Sequence, residues 1–247
     1  MFDDALAGQF DLFGFHHLMA LLIIAMIVVA IVRFRRELRT APAYRFFAKL
    51  LALAIIGQEI LLNVYRFYEQ ELSLSESLPL HLCGISVMLT AYMLLTENRT
   101  VFLNTFFILM ISALLALLTP AVDRNLGFPH FRFFQFFVSH GLIVINLTFL
   151  LFVSGYHRAI RYQHVFKNVF FLIRILPIVF VVNILTGGNY MFLMEKPGSN
   201  TLFDYLGPHP WYLVVILTLA IPSSFHVFYL PFYFRHRRLL RRYYARA

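Results

Sequence analysis

Apolar segments long enough to cross a membrane follow one another along almost the whole chain, and they limit the possible folds more than any other feature. A helix needs about 20 mostly apolar residues to span the roughly 30 Å hydrocarbon core of a bilayer. Of the residues, 60% are hydrophobic and only 13% are charged, whereas about 25% are charged in a soluble domain. The pattern therefore predicts an all-α polytopic membrane protein. Seven transmembrane helices are predicted, at approximately residues 13–32, 46–64, 80–95, 101–119, 134–153, 169–185 and 211–230.

The lysine and arginine residues predict the orientation of these helices. Sixteen of the 21 lie in segments that follow the first, third, fifth and seventh spans, and cytoplasmic loops carry the excess of positive charge. The N-terminus is therefore predicted outside and the C-terminus in the cytoplasm. The 247 residues form one transmembrane domain with short loops, and residues 231–247 form a basic cytoplasmic tail.

The net charge of +9 follows from this distribution and does not indicate a nucleic-acid partner. The tail places His236-Arg237-Arg238-Leu239-Leu240-Arg241-Arg242 just beyond the last span. Polybasic segments in this position attract anionic lipid headgroups. We predict anionic lipids as the partner of the tail, and membrane phospholipids as the solvent of the spans.

Polar residues inside the spans concentrate toward the predicted outer side. Ionisable groups in a membrane are costly and are candidates for a functional site. The inner half has only Arg174 and His226, close to the interface. This asymmetry predicts a polar cavity that opens toward the outer leaflet. Its candidate residues are His16, His17, Gln58, Glu59, Asn63, Arg66, His81, Cys83, Asp123, Arg124, His130, Arg132, Gln135 and His140.

Cys83 is the only cysteine, which excludes an intrachain disulfide. Pro79 is expected in the first helical turn, so that Cys83 lies near a helix N-terminus, whose dipole favours a thiolate. Gly84 would let a ligand or another backbone approach closely. A single buried cysteine can also be an inert packing residue, and the sequence leaves both interpretations open.

Several histidines could act as a base for this thiol. His81 is two positions from Cys83, and a regular helix points the two side chains in nearly opposite directions. His140 is the preferred partner because it is predicted at a similar depth. His16 and His17 are the next candidates, and all of these histidines can also be interhelical hydrogen-bonding groups.

Glu59 in the second span must be paired, protonated or exposed to water. Arg66 lies two turns further along the same face, and Asn63 could link the two. Arg124 and Arg132 are alternative partners. The aromatic residues between 131 and 137 are interpreted as a lipid-facing belt.

The sequence lacks the residues that several functional classes require. The three lysines lie in or near loops, which excludes a mid-span retinal Schiff base, and Walker, HExxH and GxSxG motifs are missing. No two histidines have the spacing of a helix-borne ligand pair. We predict neither a metal site nor a cofactor.

Five short motifs resemble one family of membrane proteins. The order of the motifs is similar to that of the YwaF-type integral membrane proteins of bacteria and of the related transmembrane protein 164 acyltransferases. The run that ends in Cys83 and the later Ser-His pair are the most specific parts. The motifs are Phe13-Gly14-Phe15-His16-His17, Leu78-Pro79-Leu80-His81-Leu82-Cys83, Leu118-Thr119-Pro120-Ala121-Val122-Asp123, Phe128-Pro129-His130-Phe131 and Val138-Ser139-His140-Gly141.

The resemblance implies a seven-helix lipid acyltransferase of a bacterial cytoplasmic membrane that needs no coenzyme A. Cys83 matches the nucleophile, which would carry the acyl chain as a thioester, and His140 matches its partner. His81, Asp123 and His130 match motif positions without an assigned role. Arg124 or Arg132 could hold the lipid phosphate. The alternatives are a non-catalytic lipid or small-molecule binding or transport protein that uses the same cavity, and a scaffold of a larger membrane complex.

Overall fold

The computed structural model describes residues 8–120, 126–196 and 205–244, with side chains described up to residue 238. These ranges contain helices and no strand. A π-helical turn, Ile216–Ala220, joins the last two helices into one continuous segment. The helices are α1 (Phe15–Arg33), α2 (Ala41–Tyr68), α3 (Leu82–Thr96), α4 (Arg99–Leu118), α5 (Phe131–Phe152), α6 (Gln163–Thr186), α7 (Trp211–Val215) and α8 (Ile221–Tyr244).

Six helical segments are long and apolar enough to cross a membrane: α1, α2, α4, α5, α6 and the segment Trp211–Arg238. This confirms an all-helical integral membrane protein. The third predicted span, α3, is apolar but has only 15 residues, which corresponds to about 22 Å at 1.5 Å per residue. A total of seven spans and the orientation of the termini stay predictions. We call the end of the bundle at which α3 begins the outer end, after the predicted orientation.

Helix α5 lies at the centre of the bundle and packs against α1, α2, α3 and α4. The prediction that its aromatic residues form a lipid-facing belt is wrong for Phe131, Phe133 and Phe137, which are buried. Phe133 and Phe137 pack on Phe10, which precedes α1, with ring centroids 6.4 and 6.5 Å apart. These three aromatic residues of α5 therefore fill the protein interior.

A fully buried asparagine fastens α6 to α4. The Asn168 side-chain oxygen accepts hydrogen bonds from the backbone N–H groups of Phe107 (2.9 Å) and Ile108 (3.2 Å). Its amide nitrogen donates to the carbonyl of Leu103 (3.1 Å) and, within α6, to that of His164 (2.7 Å). All four hydrogen-bonding positions of the amide are used.

At the inner end, arginine side chains hold the C-terminus of α5. Arg39 donates to the carbonyls of Val153 and Phe152, each at 2.8 Å. Cations in this position satisfy the last carbonyls and interact favourably with the helix dipole. Arg235 of α8 donates to the carbonyl of His157 (3.0 Å) in the following loop, so that α5, its loop and α8 are joined.

His157 predicts a pH dependence of stability. Burial lowers the pKa of His157, the positive charges of Arg235, Arg158 and Arg39 lower it further, and its hydrogen bond to the Leu151 carbonyl acts in the opposite direction. Below about pH 6.5, the usual pKa of histidine, the unfolded chain therefore binds more protons at this site than the folded protein. Stability is expected to fall as the pH falls through this range.

Thermal unfolding in detergent between pH 7.5 and 5.5 measures this dependence. His157→Gln retains an amide donor for Leu151 but has no titrating ring. We expect the melting temperature of the variant to change less with pH than that of the unchanged protein. Equal pH slopes for the two proteins would contradict the assignment.

Candidate active site

Cys83 is the second residue of α3, at its N-terminus, and is half-buried. Cys83 and Gly84 both belong to the first turn of this helix. Unpaired N–H groups at a helix N-terminus favour a negative charge. The position of Cys83 at the helix N-terminus is therefore the feature of its surroundings that favours a thiolate.

The loop before α3 differs from the prediction. The helix begins at Leu82, with His81 as its N-terminal cap, so Pro79 lies outside the first turn. A Cβ atom on Gly84 would lie 2.8 Å from Pro79 Cα, closer than real Cβ contacts. The close approach that Gly84 permits is therefore made by the backbone of the chain's own loop.

A buried tyrosine from the loop after α6 holds this segment in place. The Tyr190 hydroxyl donates to the carbonyl of Leu74 (2.8 Å) and accepts from the N–H of Leu78 (3.0 Å). Asn183, near the end of α6, exchanges two hydrogen bonds with the Tyr190 backbone, at 2.8 and 3.0 Å. His81 Nδ1 accepts from the N–H of Met191 (3.3 Å), which fixes the residue that caps α3.

Three charged side chains lie within electrostatic range of Cys83. Glu59 and Arg66 of α2 act on the thiol, and Cys83 in turn acts on Arg132 of α5. Arg66 also acts on Arg132 and on His81. Charges from two helices that the sequence separates by about 70 residues therefore surround the start of α3.

A chain of side-chain hydrogen bonds links Arg132 to Glu59. Arg132 Nη1 donates to Gln135 Oε1 (3.0 Å), and Gln135 Nε2 donates to Gln58 Oε1 (3.4 Å). Gln58 Nε2 donates to Glu59 Oε2 (3.3 Å). The predicted alternative partner of Glu59, Arg132, is therefore connected to it through two amides.

The link that the sequence suggested between Glu59 and Arg66 is not formed. Asn63 donates to the backbone carbonyl of Glu59 (2.8 Å), not to its carboxylate. Gln58, for which sequence analysis gave no specific role, is the group that contacts the carboxylate. The sequence feature that could have indicated this role of Gln58 is a second amide, Gln135, at a corresponding depth in another span.

An apolar groove of about 530 Å³ lies between α2 and α3. Its volume is in the usual range for ligand sites, about 300–1,000 Å³. Glu59 and Asn63 are its polar lining residues, and Val87, one turn below Cys83 on α3, lies in its wall. The other lining residues are Ile56, Ile60, Val64, Phe67, Tyr68 and Met88.

His140 lies deeper in the bundle than the charges around Cys83. It is nine residues after Phe131, or about 14 Å along α5 at 1.5 Å per residue. Its Nδ1 donates to the Phe136 carbonyl (2.8 Å), so Nε2 is the acceptor in the neutral ring. In the described part of the chain, the charged groups that act on Cys83 do not include His140.

A comparison with models of protein families shows to which family the chain belongs. The model of the TMEM164 family matches residues 12–229. The chain belongs to the TMEM164 family. The match confirms the predicted relation to transmembrane protein 164, while the YwaF-type relation stays a prediction. Comparisons with curated proteins and with solved structures gave no match.

Two of the candidate histidines of this TMEM164 family protein have structural contacts away from Cys83. Buried His17 accepts from the N–H of Phe13 (2.9 Å) through Nδ1 and donates from Nε2 to the Leu117 carbonyl (2.8 Å). Both of its ring nitrogens are used, and they join α1 to the end of α4. His16 stacks on Phe128, with ring centroids 4.4 Å apart.

Buried His130 caps the N-terminus of α5, where its Nδ1 accepts from the N–H of Arg132 (3.1 Å). The predicted site residues Asp123 and Arg124 lie outside the described residues. Among the residues that the structure describes, no group of three His, Cys, Asp or Glu side chains could hold a metal ion. The site is therefore considered as a thiol with charged and amide neighbours.

Proposed function

We propose that this protein is a membrane-embedded acyltransferase that moves an acyl chain from a phospholipid to a lysolipid or a related alcohol through a thioester on Cys83. The observation that supports the proposal is the apolar groove between α2 and α3, whose wall includes Val87, one helical turn from the half-buried thiol of Cys83. An acyl chain is the ligand that such a groove suits. The membrane itself supplies donor and acceptor, at the outer leaflet of a bacterial cytoplasmic membrane.

The first half of the proposed reaction forms the thioester. A base removes the proton of the Cys83 thiol, and the sulfur attacks the ester carbonyl of the donor lipid. The bond from the carbonyl carbon to the ester oxygen breaks. The base returns the proton to that oxygen, and the lysolipid leaves as an alcohol.

The second half transfers the chain to the acceptor. The acceptor hydroxyl gives its proton to the base, and its oxygen attacks the thioester carbonyl. The carbon–sulfur bond breaks, and the thiolate takes the proton back. Donor and acceptor exchange one acyl group, so the cycle consumes no cofactor.

We propose His140 as the base because it matches the partner position of the family that the chain resembles; Nδ1 of its neutral ring donates to Phe136, so Nε2 is the acceptor nitrogen. The amide chain from Arg132 to Glu59 is proposed to position the polar wall of the groove. His81 is proposed as a positioning residue, since it caps α3 and contacts Met191. The basic tail is proposed to contact anionic lipid headgroups.

Direct detection of the thioester tests the proposal. Purified protein is incubated with a phospholipid that carries a labelled acyl chain, quenched in acid and analysed by peptide mass spectrometry. We expect the peptide with Cys83 to gain the mass of the fatty acid less that of water, and neutral hydroxylamine to remove the adduct. Cys83→Ala should show no such adduct.

The same measurement distinguishes the alternative function. A lipid-binding or transport protein would retain lipid in its groove but would form no hydroxylamine-sensitive adduct. If bound lipid is found while the thiol stays unmodified throughout the incubation, the proposal of acyl transfer through Cys83 is wrong. The groove would then be assigned to binding alone.

A further inference from the structure

Two arginines near the outer end of the groove, Arg66 and Arg132, lie within electrostatic range of each other. The ring of Tyr65 on α2 stacks on that of Phe131 on α5, with centroids 4.6 Å apart. The next residue of each helix is an arginine, Arg66 and Arg132, and each guanidinium lies in the electrostatic range of the other. Only four of the 21 basic residues lie in the predicted outer segments, and these two converge beside Cys83.

Within the described residues, neither guanidinium has an acidic partner at ion-pair distance. The Arg66 side chain forms no hydrogen bond or ion pair there, and the residue is half-buried. Arg132 donates to the neutral amide oxygen of Gln135, and the charge of Glu71 acts on it only at longer range. Two like charges at one place repel each other, and a shared anion removes that repulsion.

Arg66 lies on the same helix as the two polar lining residues of the groove. Glu59 and Asn63 line the groove, and Arg66 follows them on the same face of α2, since residues three, four and seven apart share a helix face. A lipid whose chain lies along Val87 and Ile60 would therefore place its polar end at Arg66 and Arg132.

We infer that Arg66 and Arg132 bind a phosphate group, and that this group is the headgroup phosphodiester of the lipid in the groove. Guanidinium groups match the geometry of phosphate oxygens and bind them with two parallel hydrogen bonds. The inference rests on the proposed function and deepens it, because it assigns the headgroup phosphate of the substrate to two named residues. It concerns binding, so it can be tested without any chemistry at Cys83.

The test compares two lipids that differ in the phosphate. Full-length Cys83→Ala protein in detergent is titrated with fluorescent phosphatidylglycerol and with a diacylglycerol that has the same chains. Arg66→Gln is the main variant, because Arg66 has no described contact whose loss could disturb the fold. Arg132→Gln is the second variant, and Arg45→Gln, exposed at the other end of α2, is the matched control.

We expect Arg66→Gln and Arg132→Gln each to weaken phosphatidylglycerol binding about tenfold, the effect of losing one charge-assisted hydrogen bond. Diacylglycerol binding should not change, and Arg45→Gln should change neither. An equal loss for both lipids, or a loss for neither, would overturn the inference.

Inorganic phosphate distinguishes a lipid headgroup from a free anion. Millimolar phosphate should not displace the lipid from the unchanged arginine pair if the site is built for a headgroup. Displacement that disappears in Arg66→Gln would assign the site to free phosphate and overturn the headgroup assignment. Thioester formation is measured separately, so a phosphate-dependent binding difference without any thioester would contradict the proposed function and leave this inference standing.

Discussion

Replacement of Cys83 with alanine is expected to lower the rate of acyl transfer between lipids by about 10³-fold or more, since loss of a covalent nucleophile removes the whole two-step route. Alanine retains the helical propensity of the first turn of α3 and adds no atom next to Pro79. The measurement is transfer of a labelled chain from phospholipid to lysolipid by purified protein in mixed micelles. The melting temperature is recorded for the same samples.

The control for this change is Thr96→Ala at the other end of α3, where the exposed hydroxyl bonds only to the carbonyl of Tyr92 (2.7 Å). It should retain the full transfer rate. His140→Gln tests the base separately, and general-base loss typically costs about 10²–10⁴-fold. Intact transfer by Cys83→Ala would exclude the thioester route, whereas intact transfer by His140→Gln would exclude only the assigned base.

The helical fold is the part that the sequence predicts best. Segment length and apolar content depend on the bilayer thickness alone, so the predicted spans coincide with helices. The boundaries differ where hydropathy does not determine them: α2 extends over Ala41–Tyr68, beyond the predicted 46–64, because helices continue past the hydrocarbon core. At α3, the prediction begins at residue 80, whereas the helix begins at Leu82.

Burial within the bundle could not be predicted from hydropathy. Lipid tails and protein interiors are equally apolar, so Phe131 and Phe134 look alike in the sequence. In the structure Phe131 is 8% exposed and Phe134 is 46% exposed. The central position of α5, and the buried aromatic residues that follow from it, depend on how the helices assemble.

The candidate site was predicted in its composition but not in its connections. Glu59, Arg132 and Gln135, which were expected at similar depth, are joined through Gln58, while their role in a site with Cys83 stays a prediction. Their partners depend on side-chain direction across helices, which a single sequence does not contain. For the same reason the sequence could not predict the role of His17, whose hydrogen bonds to Phe13 and Leu117 link two helices.

Asn168 is the residue for which we expect the largest loss of stability. Its amide forms three hydrogen bonds with the backbone of α4, at Leu103, Phe107 and Ile108. Hydrogen bonds between membrane helices contribute about 0.6 kcal/mol each on average, with a maximum near 1.7. Asn168→Leu should therefore lower the free energy of unfolding by about 2–3 kcal/mol.

Asn104→Leu provides a matched control for this prediction. Asn104 lies on α4 itself, and its side chain forms no hydrogen bond within the described residues. The same change of side chain should therefore alter stability by about 0.5 kcal/mol or less. Unfolding in mixed detergent measures both variants. An equal loss of stability in the two variants would show that the loss of a polar side chain, and not the loss of the hydrogen bonds to α4, causes the effect.

The groove is formed by α2 and α3, so we expect Asn168→Leu to retain its transfer activity well below its melting temperature. This result would separate the stabilising contact between α6 and α4 from the chemistry at Cys83.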